Sequence, residues 1–144
     1  MSATQIRNLQ SEIEATDTAT ALAAIYRAYI AGLNRQDWPN LHRFIQDEVR
    51  HNGRPFGLSG YRAMLERDFA AIPDLHFNIV LLISDPHTVA ARLHFDCTPT
   101  GNFLGLAVNG KRVTFDEHVF YEFRDGKIDQ VWSIIDKSGI SAQL

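Results

Sequence analysis

The hydrophobic period of this chain changes near residue 75, and this change constrains the fold more than any other feature of the sequence. Before it, apolar residues recur at three- and four-residue steps, most clearly over residues 22–33, which is typical of amphipathic helices. After it, residues 88–98 alternate apolar and polar side chains, as half-buried strands do. Helices followed by hairpin-linked strands predict an α+β fold, with N-terminal helices packed on one face of a curved antiparallel sheet.

Helical patterns over residues 4–15 and 22–33 predict two separate helices, and two further helices are predicted after the caps Asp37 and Ser59. Residues 1–17 are interpreted as a helical extension that precedes a domain of residues 18–144. A chain of 144 residues is long enough to bury a core in one such domain.

Charge and cysteine usage argue against several classes of protein. The formal net charge is −3 and the 14 basic residues are scattered, so no footprint for nucleic acid is present. The only cysteine, Cys97, can form neither an internal disulfide nor a zinc site, which predicts a cytoplasmic protein. No apolar run approaches the roughly 18 residues that a membrane span needs, so no membrane partner is expected.

Polar residues within the strand patterns are the candidates for chemistry. Asp116, Glu117 and His118 interrupt one apolar strand, and Asp136 ends the next one. Asp136 follows Trp132 by four residues and shares its face if the strand is regular. A carboxylate beside a tryptophan indicates an apolar pocket, which would raise its pKa and suit it as a base.

Other groups could assist such a base. His51, in a short strand, and Tyr29, on the second helical pattern, are candidate hydrogen-bond donors to a bound molecule. The six histidines show no metal-ligand spacing, so no metal site is expected, and no phosphate-binding, dinucleotide-binding or nucleophile motif occurs.

The loop near residue 125 decides which of these side chains share a face. A two-residue turn at Asp125–Gly126 pairs Arg124 with Lys127 and sends His118 to the face opposite Trp132. A three-residue loop pairs Phe123 with Lys127 instead, and then Asp116, His118, Trp132 and Asp136 lie on one face. The second register gathers the polar residues and is the one predicted.

Four segments of the C-terminal half resemble the SnoaL-like polyketide cyclases and predicted ester cyclases of the nuclear transport factor 2-like superfamily. They are TPTGNFLG at 98–105, NGKRV at 109–113, FRDGKI at 123–128 and WSIIDKSGI at 132–140. With weaker matches upstream, the resemblance covers about residues 20–144 and leaves residues 1–17 outside.

The resemblance implies a cone-shaped fold around a pocket for a small organic molecule and a homodimer formed through the sheet. In the characterised cyclases an aspartate acts as acid and base in an intramolecular aldol closure, without metal or cofactor. Asp136 matches that position, and His118 matches the family's catalytic histidine, with Glu122 as a rival alignment. Trp132 and Phe120 are then expected to shape the pocket, with Asp116 as the next candidate base.

Three functions are compatible with these observations. The first is a cofactor-independent cyclase or isomerase that acts on a small carbonyl compound by acid–base catalysis. The second is a non-catalytic protein that binds a small molecule in the same pocket. The third is an interaction protein whose sheet binds a partner, since the fold alone does not decide function.

Overall fold

The computed structural model describes residues 1–144, and its elements confirm the predicted α+β class. The helices are α1 (Ala3–Asn34), a 3-10 helix (Trp38–Arg43), α2 (Gly57–Ala71) and α3 (Lys137–Ser141). The strands are β1 (Ile45–His51), β2 (Asn78–Ser84), β3 (Thr88–Cys97), β4 (Asn102–Phe103), β5 (Leu106–Ala107), β6 (Val113–Arg124) and β7 (Lys127–Ile135).

The helix α1 is continuous, whereas the sequence predicted a break between residues 15 and 22. No proline or glycine interrupts residues 3–31, and the hydroxyls of Thr16 and Thr18 bond to the carbonyls of Glu12 and Glu14, each at 2.9 Å. These bonds let threonine remain inside a helix. The helix therefore runs through the boundary drawn after residue 17, and most side chains before Leu22 are exposed. None of the helices combines the length and apolarity that crossing a bilayer requires.

Five strands form one open sheet in the order β1-β7-β6-β3-β2. The pairs β2–β3, β3–β6 and β6–β7 are antiparallel, as expected, but β1 runs parallel to β7 at the edge. Asn52 continues that pairing after β1, because its side-chain amide exchanges hydrogen bonds with the backbone of Ser133 at 2.8 and 3.2 Å. The remaining strands, β4 and β5, form a separate short hairpin.

The β6–β7 turn does not have the predicted register. Arg124 pairs with Lys127, and both turn residues have positive φ, 52° at Asp125 and 74° at Gly126, which defines a two-residue type I′ turn. The predicted Phe123–Lys127 pairing is therefore wrong. The twist of a type I′ turn matches that of the strands, and glycine accepts its positive φ without strain.

A bulge next to this turn brings His118 and Trp132 to one face of the sheet, as the predicted register would also have done. The pairing shifts between Glu122 and Phe123, so that His118 lies opposite Ile134 and Phe120 opposite Trp132. His118 and Trp132 thus share a face although the turn has two residues. This is the outer face of the sheet, because the helices and the core lie on the other side.

The inner face of the sheet carries the core. In β6 the buried residues alternate with exposed ones. They are Val113, Phe115, Val119 and Tyr121. Glu117 lies among them, so the strand points one carboxyl group toward the helices.

Candidate active site

A cavity of about 540 Å³ lies between α1, α2 and the inner face of the sheet. Its volume falls within the roughly 300–1,000 Å³ of pockets that hold small organic molecules. Sixteen of its 22 lining residues are hydrophobic. Phenylalanines form much of one wall, where Phe95 stacks on Phe115 with ring centroids 5.0 Å apart and Phe103 packs against Phe115 at 5.5 Å. The cavity therefore suits a largely apolar ligand.

Glu117 places a carboxyl group on this apolar wall. The hydroxyl of Ser133, on the neighbouring strand β7, donates a hydrogen bond to Glu117 Oε2. Burial raises the pKa of the Glu117 carboxyl to about 7, the Ser133 hydrogen bond opposes this rise, and the charge of Asp68 adds to it. Near neutral pH this group therefore exists in both protonation states, as a proton-transfer group must.

Asp68 adds a second carboxyl group to the cavity, from α2. Burial raises its pKa to about 6, and the neighbouring Arg67 opposes the rise only in part. No hydrogen bond or close ion pair holds its side chain, and Arg67 acts on it only through its charge. The carboxyl of Asp68 is thus kept in the cavity by its place on the helix alone.

Four tyrosines form two pairs of hydroxyls beside the carboxyls. The hydroxyls of Tyr29 and Tyr61 lie 2.7 Å apart, and Tyr26 donates to the hydroxyl of Tyr121 at 3.2 Å. Burial raises the pKa of all four phenols above their ordinary value. They therefore stay neutral, and Tyr29, Tyr61 and Tyr121 can offer hydrogen bonds to a ligand.

His51 closes the cavity on the β1 side. Its ring stacks on Phe56 with centroids 5.7 Å apart and planes within 4° of parallel. Burial and the charge of Arg54 lower its pKa, so the imidazole is neutral at pH 7. The only cation of the lining is Lys137. It is an exposed residue of α3 whose amine lies near Gly105, and Gly105 belongs to the β4–β5 hairpin. No three His, Cys, Asp or Glu side chains are grouped to hold a metal ion.

The structure brings two of the predicted site residues, Tyr29 and His51, into the cavity lining. The other five lie elsewhere. His118, Phe120 and Trp132 project from the outer face, where Trp132 Nε1 donates to Glu122 at 2.7 Å. Their side chains point away because they have the opposite parity from the buried residues of β6 and β7.

The two predicted aspartates also lie outside the cavity lining. Asp116 accepts from Arg92 at 2.5 Å and lies 2.8 Å from His94 Nδ1, and these partners hold the pKa of its carboxyl below the ordinary value. Asp136 caps α3, where its Oδ1 accepts from the Gly139 amide at 2.9 Å. The regular strand ends at Ile135, so the position of Asp136 follows the helix cap rather than the strand face.

Neither Glu117 nor Asp68 is among the predicted site residues, although Glu117 stands out as a polar residue of its strand and the pattern holds a further signal for each. In β6, Glu117 is the one charged residue at the apolar parity of the strand. In α2, Asp68 follows Tyr61 and Leu65 at helical spacing and so lies on the buried stripe. A charged residue at a core position is more informative than one on a polar face, because burial without a function is unfavourable.

Comparison with known proteins agrees with this architecture. The family model of SnoaL-like polyketide cyclases matches residues 23–144. A solved structure of a SnoaL-like polyketide cyclase from Agrobacterium tumefaciens is 56% identical, with a TM-score of 0.84 over 85% of this chain and 96% of that chain. A search of curated proteins found no match.

Two more distant structures share the fold. TsrD from Streptomyces laurentii is 24% identical, with a TM-score of 0.75 over 86% of this chain and 94% of its own. AclR from Streptomyces galilaeus is 20% identical, with a TM-score of 0.71 over 87% of this chain and 96% of its own.

The helices over an open sheet and the apolar cavity between them define an α+β domain of the nuclear transport factor 2-like type. Within that class, the chain belongs to the SnoaL-like polyketide cyclase family.

Proposed function

We propose that the protein binds a small, largely apolar carbonyl compound in the cavity and rearranges it by proton transfer, as a cyclase or isomerase. The observation that carries the proposal is the Glu117 carboxyl, which lies on an apolar wall and has a pKa of about 7. A general acid or base works best when its pKa is near the operating pH. The family membership supports ring closure as the form that the rearrangement takes.

The geometry gives Glu117 the role of acid at a carbonyl oxygen. Because Ser133 donates to Oε2, the proton of the neutral carboxyl resides on Oε1 and is free to be donated to a ligand. Protonating a carbonyl oxygen as an enolate develops removes charge that the apolar cavity would not stabilise. Tyr61, next to Tyr29, offers a second hydroxyl to the same oxygen or its neighbour. The step uses only side chains of this chain.

The proposal is tested with 2-tetralone, an apolar ketone whose C1 protons exchange slowly without a catalyst. Exchange in D₂O is followed by proton NMR, with the wild type, Glu117→Gln and Glu48→Gln. Glu48 is an exposed residue of β1 and serves as the matched control. Removing a general acid typically lowers a rate by about 100-fold or more. We expect such a loss in Glu117→Gln and none in Glu48→Gln.

Two results would contradict the proposal. Binding of 2-tetralone without exchange would favour the alternative function, a small-molecule-binding protein that uses the same cavity. Exchange that persists in Glu117→Gln and disappears in Asp136→Asn would return the acid–base role to Asp136.

A further inference from the structure

The Asp68 carboxyl is the one cavity group whose position neither the fold nor the proposed acid explains. It lies on the apolar stripe of α2 and has neither a hydrogen-bond donor nor a close ion pair, with only the charge of Arg67 acting on it. Asp68 is half-buried, and burial raises the pKa of its carboxyl to about 6, so its ionised form loses hydration without a hydrogen bond to compensate. Helix formation does not require this carboxyl, because a leucine at this position would continue the stripe of Tyr61, Leu65 and Ile72.

Asp68 and Glu117 enter the same cavity from different elements, one from the helical layer and one from the sheet. Glu117 is held by the Ser133 hydroxyl, whereas Asp68 keeps both oxygens free. A ligand between α2 and β6 would therefore meet one fixed carboxyl and one unpaired carboxyl. Removing a proton from the carbon next to a carbonyl needs two groups, a base that takes the proton and a donor that protonates the carbonyl oxygen.

We infer that Asp68 is the base that removes the proton from carbon, while Glu117 is the acid that acts on the carbonyl oxygen. This inference rests on the proposed function. The C–H bond next to the carbonyl breaks, its proton binds Asp68, and its electron pair forms the C=C bond of an enol. The carbonyl oxygen takes the Glu117 proton at the same time. Asp68 ends protonated and Glu117 ionised.

The ring closure that follows restores both carboxyls. The enol carbon forms a bond to a second carbonyl carbon of the same molecule, and the enol O–H returns its proton to Glu117. The second carbonyl oxygen becomes a hydroxyl by accepting the proton held on Asp68. The product is an isomer of the substrate, so no oxidant, reductant or further reactant is consumed.

The contacts of the two carboxyls assign the roles, since Ser133 fixes Glu117 as a donor and Asp68 has no hydrogen bond, and the order of their pKa values agrees. Asp68, with the lower pKa of about 6, is ionised at a pH where Glu117, at about 7, still holds its proton. The charge of Asp68 helps to keep Glu117 protonated. The other titratable groups that line the cavity are Tyr29, His51, Tyr61, Tyr121 and Lys137. Burial keeps the phenols neutral, and burial together with the charge of Arg54 lowers the pKa of the His51 imidazole.

The experiment compares Asp68→Asn, Asp68→Glu and Glu66→Gln in the 2-tetralone exchange assay across pH 5 to 8. Glu66 lies on the exposed side of the same helix, paired with Arg62 at 2.7 Å, and is the matched control. We expect a bell-shaped rate for the wild type, with its maximum between pH 6 and 7. Asp68→Asn should lower the rate by about 100-fold or more and abolish the acid limb of the bell. Asp68→Glu should restore part of the rate because it restores a carboxyl, and Glu66→Gln should retain the wild-type profile.

Each outcome bears on a different claim. Exchange at the wild-type rate in Asp68→Asn, with a folded protein by circular dichroism, overturns the role of Asp68 and leaves that of Glu117 standing. An unchanged acid limb in Asp68→Asn overturns it as well. No exchange by the wild type at any pH overturns the proposed function and this inference together. If Asp68→Asn does not fold, the pH profile of Asp68→Glu decides. A shifted acid limb supports the role of Asp68, and an unshifted limb overturns it, because a purely structural carboxyl would not shift that limb.

Discussion

At the scale of single residues, the two cavity carboxyls lower the free energy of unfolding when they are ionised, because each has a raised pKa in the folded state. A carboxyl whose pKa is raised in the folded state binds its proton more tightly there than in the unfolded chain. For Glu117 the pKa rises from 4.5 to about 7. Between these values the unfolded chain is ionised while the folded protein must hold a proton, so the free energy of unfolding falls as the pH rises through this window and is constant above it.

Replacing Glu117 with glutamine should therefore stabilise the protein at high pH only. The pKa difference corresponds to at most about 3 kcal/mol at pH 8, where the wild type keeps an ionised carboxyl in an apolar wall. At pH 4 the two proteins should be nearly equal, because both side chains are neutral. Thermal unfolding of the wild type and of Glu117→Gln from pH 4 to pH 8 measures this. A difference in melting temperature that does not grow with pH would contradict the buried, titrating carboxyl.

The residues that carry the site were predictable only in part. Tyr29 and His51 are polar groups on mainly apolar elements, and the structure places both in the cavity lining. Asp136 is predicted from its spacing to Trp132, and Asp116 and His118 from interrupting an apolar strand, and neither criterion says which face of the sheet is covered. The parity of the buried residues in β6 does say so, and it singles out Glu117.

At the scale of secondary-structure elements, the class of fold followed from the sequence and the register did not. The change in hydrophobic period predicts which segments are helices and which are strands, and the segments that resemble the family indicate their order. The turn depends on a one-residue difference that the hydrophobic pattern leaves open, and the bulge between Glu122 and Phe123 shifts the pairing back. A local kink of this kind has no signature in the alternation of apolar residues, so the face of His118 could not be derived from the turn alone.

The β6–β7 turn makes a prediction of its own. Gly126→Ala places a Cβ at a φ of 74°, in the left-handed region, and should lower the free energy of unfolding by about 1 kcal/mol. Gly32→Ala is the control, because this glycine lies inside α1 and a Cβ there would meet nothing within 4 Å. That change should leave stability equal or raise it by up to about 1 kcal/mol. Denaturant unfolding of both variants measures the difference, and equal effects would argue against a type I′ turn.

At the scale of the whole molecule, the outer face of the sheet presents an apolar surface with no partner in the chain. One row of paired residues crosses four strands, from Ile83 through Ala90 and Phe120 to Trp132. Ile134 lies next to this row and is 74% exposed, and Phe120 and Ile83 are 55% and 60% exposed. Monomers seldom expose a contiguous apolar surface of this kind. We propose that a second copy of the chain covers it, sheet against sheet.

Ile134→Lys should convert such a dimer into single chains, because a two-fold interface contains residue 134 of both copies and so buries two added charges. Ile13→Lys, which is the same change at a residue of α1 that is 59% exposed, is the control and should leave the dimer intact. Sedimentation velocity at micromolar concentration measures the mass. The wild type and the control should sediment at twice the 16.3 kDa of one chain, and Ile134→Lys at 16.3 kDa. A wild type that sediments as a single chain refutes the dimer, and a dimer that survives Ile134→Lys would show that another surface joins the two copies.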